Sequence, residues 1–487
     1  MSLSPHRLLR LNALPERREG AYVLYWMVAA RRTRYNPALE HAVAEAGRLQ
    51  RPLVVVEPLR CGYRWASDRI HAAILQGMRD NQADFAEAGV RYHPWVEPSP
   101  EAGAGMLASF AKRACIVVTD ASPIHFLPRW QRAAARAVDV RLDAVDGHGL
   151  FPLAATPGPF TTAHAFRRFL QKHLPGELER WPVELPLGDA PATDLVDLAE
   201  LGEVWPAASP ALLDASPEAL AALPIDHTVP PVRTNSGPVA ARRRLAQFVG
   251  DGLSRYGESP TRLDDRASSG LGGALHFGHL AVCEVVDAVL GAAGGSRQAP
   301  RGQANGKKSG WWGVSETAEM FLDEVVTWRE LGAVEAWHRP DTYDSYESVP
   351  QWARAVLAAH AEDVRPVLYD LPTLAMAATH DSLWNAAQRQ LVREGHIQSY
   401  LRMLWAKKVV EWSPTPAEAF ARLTELNNRY ALDGRDPNSA SGISWCFGRY
   451  DRPWGPVRPI FGTVRYMSSD STRRKMDTRA YLKRYSE

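Results

Sequence analysis

THDSLWNAAQRQLVREGHIQSYLRMLWAKKVVEW, residues 379–412, repeats its apolar side chains at three- and four-residue steps and nowhere alternates them as a strand would. That is the period of α-helix, so the stretch predicts one helix running into another. The segments around it read the same way: VAARRRLAQFV, LAVCEVVDAVL, ETAEMFLDEVVTWREL and VPQWARAVLAAHAED lie before it, and PAEAFARLTELNNRY follows. Residues 237–487 are therefore expected to form an all-α domain. One basic, Gly-rich stretch, GGSRQAPRGQANGKKSG at 294–310, interrupts the pattern and reads as a mobile loop.

The first part of the chain has a different texture. AYVLYWMVAA (21–30), PLVVVEPL (52–59), RYHPWVE (91–97), ACIVVTD (114–120) and VRLDAVD (140–146) are short apolar runs separated by helical patterns. Strands alternating with helices imply a doubly wound parallel sheet, so residues 20–182 are expected to be a Rossmann-like α/β domain. No GxGxxG follows the first strand and no GxxxxGK[ST] occurs, which leaves a dinucleotide or P-loop site in this half without support. Between the two, residues 183–236 are rich in Pro, Ala, Leu and Asp and suit an interdomain linker carrying short helices. No internal repeat is present.

Composition sets the outer bounds. A chain of 487 residues, 45% hydrophobic and 23% charged, has the makings of two packed domains rather than a disordered polymer. Charge interrupts every apolar run in MSLSPHRLLRLNALPERREG, and no segment reaches the roughly 18 apolar residues of a membrane span, so a soluble, cytoplasmic protein is expected. Cys61, Cys115, Cys283 and Cys446 have no zinc-type spacing and read as reduced, buried thiols; no metal is expected. The net charge of +2 hides a basic tail: from Arg435 to Glu487 there are eleven Lys and Arg against five acids, interleaved with Trp445, Phe447, Tyr450, Trp454, Phe461 and Tyr466. Arginines among aromatics suit a surface that holds phosphates and stacks bases, although a plain solvated surface would look the same.

The chain has sixteen tryptophans, most of them in the helical half. Large aromatics in a helical domain are usually core. Trp405 and Trp412, however, are seven residues apart and so share a helix face, about 10 Å from one another, with Trp384 one helix earlier. Three rings so placed can pass single electrons between a buried redox group and the surface, and packing alone would also produce the placement.

Order and spacing then become specific. Residues 379–412, LNNRYALDGRDPN (426–438) and RPIFGTVRYM (458–467), with FLDEVVTWRELG (321–332) and LHFGHL (275–280) upstream, closely resemble class II cyclobutane pyrimidine dimer photolyases of the photolyase/cryptochrome family. The resemblance is specific over about residues 250–487. It implies an antenna-type α/β domain and a helical domain that binds FAD, reduced FADH⁻ being the active form, and it leaves the antenna chromophore unspecified. By position, Trp384, Trp405 and Trp412 match the tryptophans that photoreduce the flavin, in an order the sequence does not give. Arg402 matches an arginine beside the flavin ring. Asn427 matches the asparagine near its N5 atom, with Asn438 as a competitor. Asp433 and Arg435 share the same loop, and Tyr256, Arg329, Ser268, Ser269 and Leu271 match positions around the flavin and its phosphates. On the substrate side the resemblance makes Glu324 a hydrogen-bond partner of the dimer and Trp328 a stacking wall, four residues apart on one helix, with Met403 and Trp445 completing the pocket and Arg452 and Arg465 holding DNA.

The chain departs from the family pattern at Gly272 and Gly273, which replace a Ser-Pro at the flavin-phosphate turn and remove one hydroxyl donor. The implied activity is light-driven repair of pyrimidine dimers in damaged DNA, by a carbon–carbon lyase that works as a monomer. The rival expectation is a cryptochrome-like flavoprotein that senses blue light without repair. Glu324, Trp328, Met403 and Trp445 together favour repair.

Overall fold

The computed structural model describes residues 3–191, 196–258, 263, 268–298 and 302–486. The chain folds into two compact units. One comprises Met1–Thr156 with His173–Ala246 and Leu271–Ala288, the other Pro157–Lys172 with Gln247–Gly270 and Val289–Glu487.

The first unit is built on a six-stranded sheet: β1 (Leu8–Arg10), β2 (Tyr22–Trp26), β3 (Leu53–Leu59), β4 (Arg91–Val96), β5 (Ala114–Ala121) and β6 (Leu142–Asp146). Their order across the sheet is β1-β6-β5-β2-β3-β4. Strands β2 to β6 pair in parallel and β1 adds antiparallel to β6. Every residue of β2, β3, β5 and β6 is buried, as expected where helices cover both faces of a parallel sheet. Leu39, Val43 and Phe85 of helices α1 (Pro37–Leu49) and α2 (Asp68–Glu87) pack on the Val23, Tyr25 and Val55 side. Phe110 and Leu127 of α3 (Met106–Ala111) and α4 (Leu127–Ala137) pack on the Leu24, Trp26 and Val56 side.

The strand order reverses between β2 and β5, where open α/β sheets commonly take ligands. Here the carboxylate of Asp120, near the end of β5, accepts the backbone N–H groups of Val28, Ala29 and Ala30 at 2.8, 2.7 and 3.1 Å and the Tyr25 hydroxyl at 2.7 Å. The turn after β2 is thus closed by the protein's own anion, in keeping with the missing glycine fingerprint.

The second unit is mostly helical. A continuous helical run over 316–338 ends in α5 (Arg329–His338), followed later by α6 (Ser382–Glu394), α7 (Ser399–Glu411), α8 (Pro416–Tyr430) and α9 (Pro437–Cys446). Their starts are written locally: the Asp381 carboxylate accepts from the N–H groups of Leu383 and Trp384, Thr415 caps α8 ahead of Pro416, and Asp436 caps α9 ahead of Pro437. Gly395, at φ 71°, ends α6 in the left-handed conformation that glycine adopts without strain. Helix α7 packs against α6, α8 and α9. Because it is enclosed on several sides, its polar residues cannot all reach bulk water, and this positions the site. Two glycines allow the close approaches: a Cβ on Gly332 would lie 2.8 Å from the Pro437 carbonyl oxygen, and one on Gly434 would lie 2.5 Å from that of Asn427.

The Gly-rich stretch expected to be mobile is tied down over 302–311. The Arg167 guanidinium donates to the Gly306 carbonyl at 3.0 Å, the Gln171 amide donates to the Lys307 carbonyl at 3.0 Å and accepts from the Gly306 N–H at 2.8 Å, and the Gly302 N–H donates to the Trp311 carbonyl. All four cysteines are free and buried. Among the described residues no cluster of His, Cys, Asp or Glu could hold a metal, and no helix is long and apolar enough to cross a membrane.

Candidate functional site

Arg402, on the buried helix α7, is the hub of a polar cluster. Its two terminal nitrogens donate to the two Asp433 oxygens at 3.1 and 3.0 Å; one of them also donates to the Asn427 Oδ1 and, at 2.8 Å, to the Ser439 hydroxyl. The Asn427 amide is oriented in turn, donating to the Gly434 carbonyl at 2.7 Å and to Asn428 Oδ1 at 3.0 Å. Guanidinium and carboxylate are each 26% exposed, so the pair is fixed by protein on one side and open on the other. Asn438 is exposed at the start of α9, outside this network, while its neighbour Ser439 is inside it. Arg435 is half-buried in the connection between α8 and α9.

Three residues along α7 from Arg402, Trp405 begins a column of indoles. The rings of Trp384 and Trp405 are parallel, 6.4 Å between centroids and 7° between planes, and Trp384 meets Trp412 edge-on at 5.6 Å. Hydrogen bonds lock the first two, from Trp384 Nε1 to the Trp405 carbonyl at 3.0 Å and from Trp405 Nε1 to Gln388 Oε1 at 2.9 Å. All three side chains are 1% exposed. Beyond Trp412 lie Tyr369 and His380, at 5.4 and 5.3 Å, and the Tyr369 hydroxyl is 2.7 Å from His380 Nδ1. His380 is exposed, so aromatic contact runs without a break from the core to the surface.

Glu324 and Trp328 lie where the 316–338 helix widens into a π-helical turn, Asp323–Trp328. Such turns are rare and occur often at functional sites. Asp323 points inward and is clamped by the Arg167 guanidinium at 2.6 and 2.8 Å. Glu324 is exposed to solvent although protein packs closely around it. Burial, and then the neighbouring Asp323, push its carboxyl up to about 7, against the opposing pull of Lys308 and Arg167. Tyr256 packs edge-on to Phe321 at 5.2 Å, and burial together with Glu324 and Asp323 raises its phenol. Trp328 is half-buried, edge-on to Tyr450 at 6.3 Å, and Arg329 is buried one residue later.

Trp445, on α9, has two cations near its ring. Lys407 lies 5.7 Å and Arg465 5.6 Å from its ring centroid, Arg465 is also 4.6 Å from the Trp454 ring, and Arg452 is 4.5 Å from that ring. Met403 is half-buried, and its carbonyl faces the Cys446 thiol. Ser268 and Ser269 are half-buried; Leu271 is buried ahead of the short helix Gly272–His276, which therefore opens on the two glycines noted above.

The deoxyribodipyrimidine photo-lyase of Methanothermobacter thermautotrophicus is 31% identical over 485 residues, covering 98% of this chain and 97% of its own length. That of Oryza sativa is also 31% identical, covering 95% and 87%. The chain belongs to the photolyase/cryptochrome family. Its likeness to these photo-lyases is consistent with the class II branch. A sequence profile described as DNA photolyase matches residues 23–186 of this family member. The crystal structure of a bacterial class III photolyase from Agrobacterium tumefaciens superposes with a TM-score of 0.68 over 96% of this chain and 86% of that one; at 16% identity the match concerns the fold, an N-terminal α/β domain and a mostly helical C-terminal domain.

Several residues of these clusters escaped the sequence reading. Gln388 carried a signal, since it stands one helical turn after Trp384. Trp454 was visible only as one aromatic among several in the basic tail. Ser439, Tyr369, His380 and Lys407 had no local mark at all.

Proposed function

We propose that this chain splits cyclobutane pyrimidine dimers in DNA under light, using FAD bound in the helical unit. The observation that carries the reading is the meeting, through helix α7, which bears both Arg402 and Trp405, of the Arg402 cluster with the Trp405, Trp384 and Trp412 column. A flavin enzyme that must be reduced by light needs both a cationic contact and an electron path.

The residues suit the cofactor. Arg402 offers a guanidinium that is open on one side and fixed on the other, so its charge favours an anionic ring beside it without further ordering. Asp433, Asn427 and Ser439 hold that guanidinium in place. Asn427, rather than its competitor Asn438, exposed at the start of α9, would stand near N5 of the ring, with Asp433 and Arg435 on the loop before α9, while Tyr256, Arg329, Ser268, Ser269 and Leu271 would hold the remaining parts. FAD bound here in reduced form would supply reversible one-electron donation under light, which is the chemistry that opening two carbon–carbon bonds without net redox change requires.

Protein groups do the rest. Trp328, Met403 and Trp445 would wall the extruded lesion, whose damaged pairing lowers the cost of flipping, as it does for base-flipping enzymes generally. Glu324, whose carboxyl is pushed up to about 7 and is therefore neutral below that value, can donate a hydrogen bond to a pyrimidine carbonyl as negative charge develops there. Arg452 and Arg465, both exposed, are suited to phosphates.

The test is direct. Denatured protein should release FAD, and illumination of the reduced protein with a thymine-dimer oligonucleotide should restore thymine absorbance. A chain that holds reduced FAD and restores none is the cryptochrome-like alternative.

A further inference from the structure

Lys407 is the anomaly of the helical unit. It is 1% exposed, an extreme position for an ammonium, and no carboxylate among the described residues lies within salt-bridge distance of it. Its partners are instead neutral: Nζ donates to the Cys446 carbonyl at 2.5 Å and lies 5.7 Å from both the Trp445 and Phe461 ring centroids. The next residue shows the ordinary solution, since Lys408 also lies by a tryptophan, Trp412, but is paired to Glu411 at 2.7 Å. Burying a cation without an anion is costly unless its surroundings compensate. Here they are one carbonyl and two aromatic faces, and one of those faces belongs to the ring that Arg465 flanks at 5.6 Å.

We infer that Lys407 is a positioning residue of the lesion pocket: its ammonium, tied to the backbone at Cys446 and set against the Trp445 ring, fixes that ring as a wall for the flipped dimer. Five residues lead from Arg402 to Lys407 along α7, so the helix that presents the flavin-side guanidinium also braces the substrate side. The cation acts through Trp445 and makes no DNA contact of its own, being shut off from solvent. Its effect falls on recognition of the lesion, whereas exposed Arg452 and Arg465 act on any duplex. This inference rests on the proposed function, since it takes Trp445 as a lesion wall.

Geometry gives the device a pH signature. Burial lowers the ammonium to about 8, partly offset by the Cys446 side and by Asp451, with Arg465 adding to the lowering. Lys407 is therefore charged below about 8 and loses its charge, and its hold on the ring, as pH rises through that value. The other groups that face it are the Cys446 thiol on α9, which burial pushes up to about 11, and Asp451 and Arg465 in the segment after α9; Arg402, on the same helix as Lys407, acts on that thiol. The thiol, at about 11, stays protonated between pH 7 and 9.

The experiment measures binding of the FAD-loaded protein to dimer-containing and undamaged duplexes at pH 7 and pH 9. Wild-type lesion preference should fall as pH rises, and Lys407→Met should lower it at pH 7 by roughly three- to thirty-fold, the range of a cation–π contact from exposed to desolvated. Affinity for undamaged DNA should not follow. Lys407→Arg, which keeps a charge through pH 9, should flatten the profile. FAD content reports folding of each variant, and the wild-type pH profile needs no variant. Unchanged preference in Lys407→Met, or a flat wild-type profile, overturns the inference alone. A wild-type chain with no lesion preference at any pH overturns the proposed function and this inference with it.

Discussion

Trp384 stacks on Trp405 with 7° between the ring planes and 6.4 Å between their centroids, while its edge meets Trp412 at 5.6 Å. It is therefore the middle member of the column, with Trp405, three residues from Arg402 on α7, at the inner end. Trp384→Phe should slow light-driven reduction of oxidised FAD more than Trp412→Phe does, because it separates the two remaining rings. Chemically reduced protein should still repair in both. Phe is the right replacement, since truncating a buried Trp to Ala costs about 3–5 kcal/mol and would confuse folding with electron transfer. Photoreduction followed by flavin absorbance checks the order; equal rates in wild type and Trp384→Phe would return the column to ordinary core.

The Arg402 cluster predicts a separable pair of effects. Arg402→Leu should lower FAD retention, because the cation facing the ring is gone. Asp433→Asn should keep the side-chain shape and much of the hydrogen bonding while removing the neutralising charge, so FAD should stay bound and its reduced anionic form should gain. Since a hydrogen bond to a charged group is worth about 1.5–3 kcal/mol, each variant should also lose stability of that order, discounted for the quarter exposure of the pair. Flavin stoichiometry, midpoint potential and urea unfolding read the three consequences separately.

What the sequence disclosed and what it hid follow one physical division. Helices α6 and α7 were legible because their apolar residues keep the 3.6 period, and β2, β3 and β5 because parallel strands buried on both faces are near-continuous apolar runs, while β4, at the sheet edge, and β6 showed only shorter apolar stretches. Strand β1 was missed: it is only Leu8–Arg10, one edge of the sheet, with arginines on either side of its two leucines. The π turn at Asp323–Trp328 has no residue signature, since nothing in DEVVTW favours a five-residue hydrogen-bond step. The pinned stretch near Gly306 reads as a flexible loop because its clamps, Arg167 and Gln171, stand 139 and 135 residues upstream. The same distance problem hides the site. Resemblance picked out Arg402 and Asp433, but not Ser439 or Lys407, whose importance arises only once α7 is enclosed by α6, α8 and α9.

For DNA binding, the exposed end of the cation and aromatic ladder makes a salt prediction. Each phosphate contact contributes about 0.9 to the slope of log affinity against log salt. Arg465→Ala should lower affinity for damaged and undamaged duplexes alike and make that slope shallower by roughly one contact. Arg465 also flanks Trp445 and Trp454, so a smaller, salt-independent loss confined to damaged DNA should remain at high salt. Titration of both duplexes over a salt series separates the two.

Glu324 supplies the sharpest test, because protonation and function are tied at one atom. Burial and the adjacent Asp323 push its carboxyl up from an ordinary 4.5 to about 7, so the acid is neutral below that value and ionised above it. For stability the sign follows: the folded chain holds this proton more tightly than the unfolded chain does, so the contribution is fully present below about 4.5 and is lost as pH rises through about 7. Wild type should therefore lose stability relative to Glu324→Gln across that window. For repair, a neutral carboxyl can donate to the pyrimidine oxygen as charge arrives, whereas a carboxylate would repel it. The splitting yield of wild type should fall as pH rises through about 7, Glu324→Gln should flatten the profile while keeping a donor, and Glu324→Ala should lower the yield at every pH. A charge-assisted hydrogen bond worth about 1.5–3 kcal/mol corresponds to roughly a ten- to hundred-fold change in the competition between ring opening and return of the electron. FAD content and DNA affinity should hardly move in either variant, because the interaction is made only after the electron arrives. If Glu324→Ala instead loses lesion affinity in proportion to yield, the carboxyl is a ground-state contact, and the reading of Glu324 as stabiliser of the developing charge has to be given up.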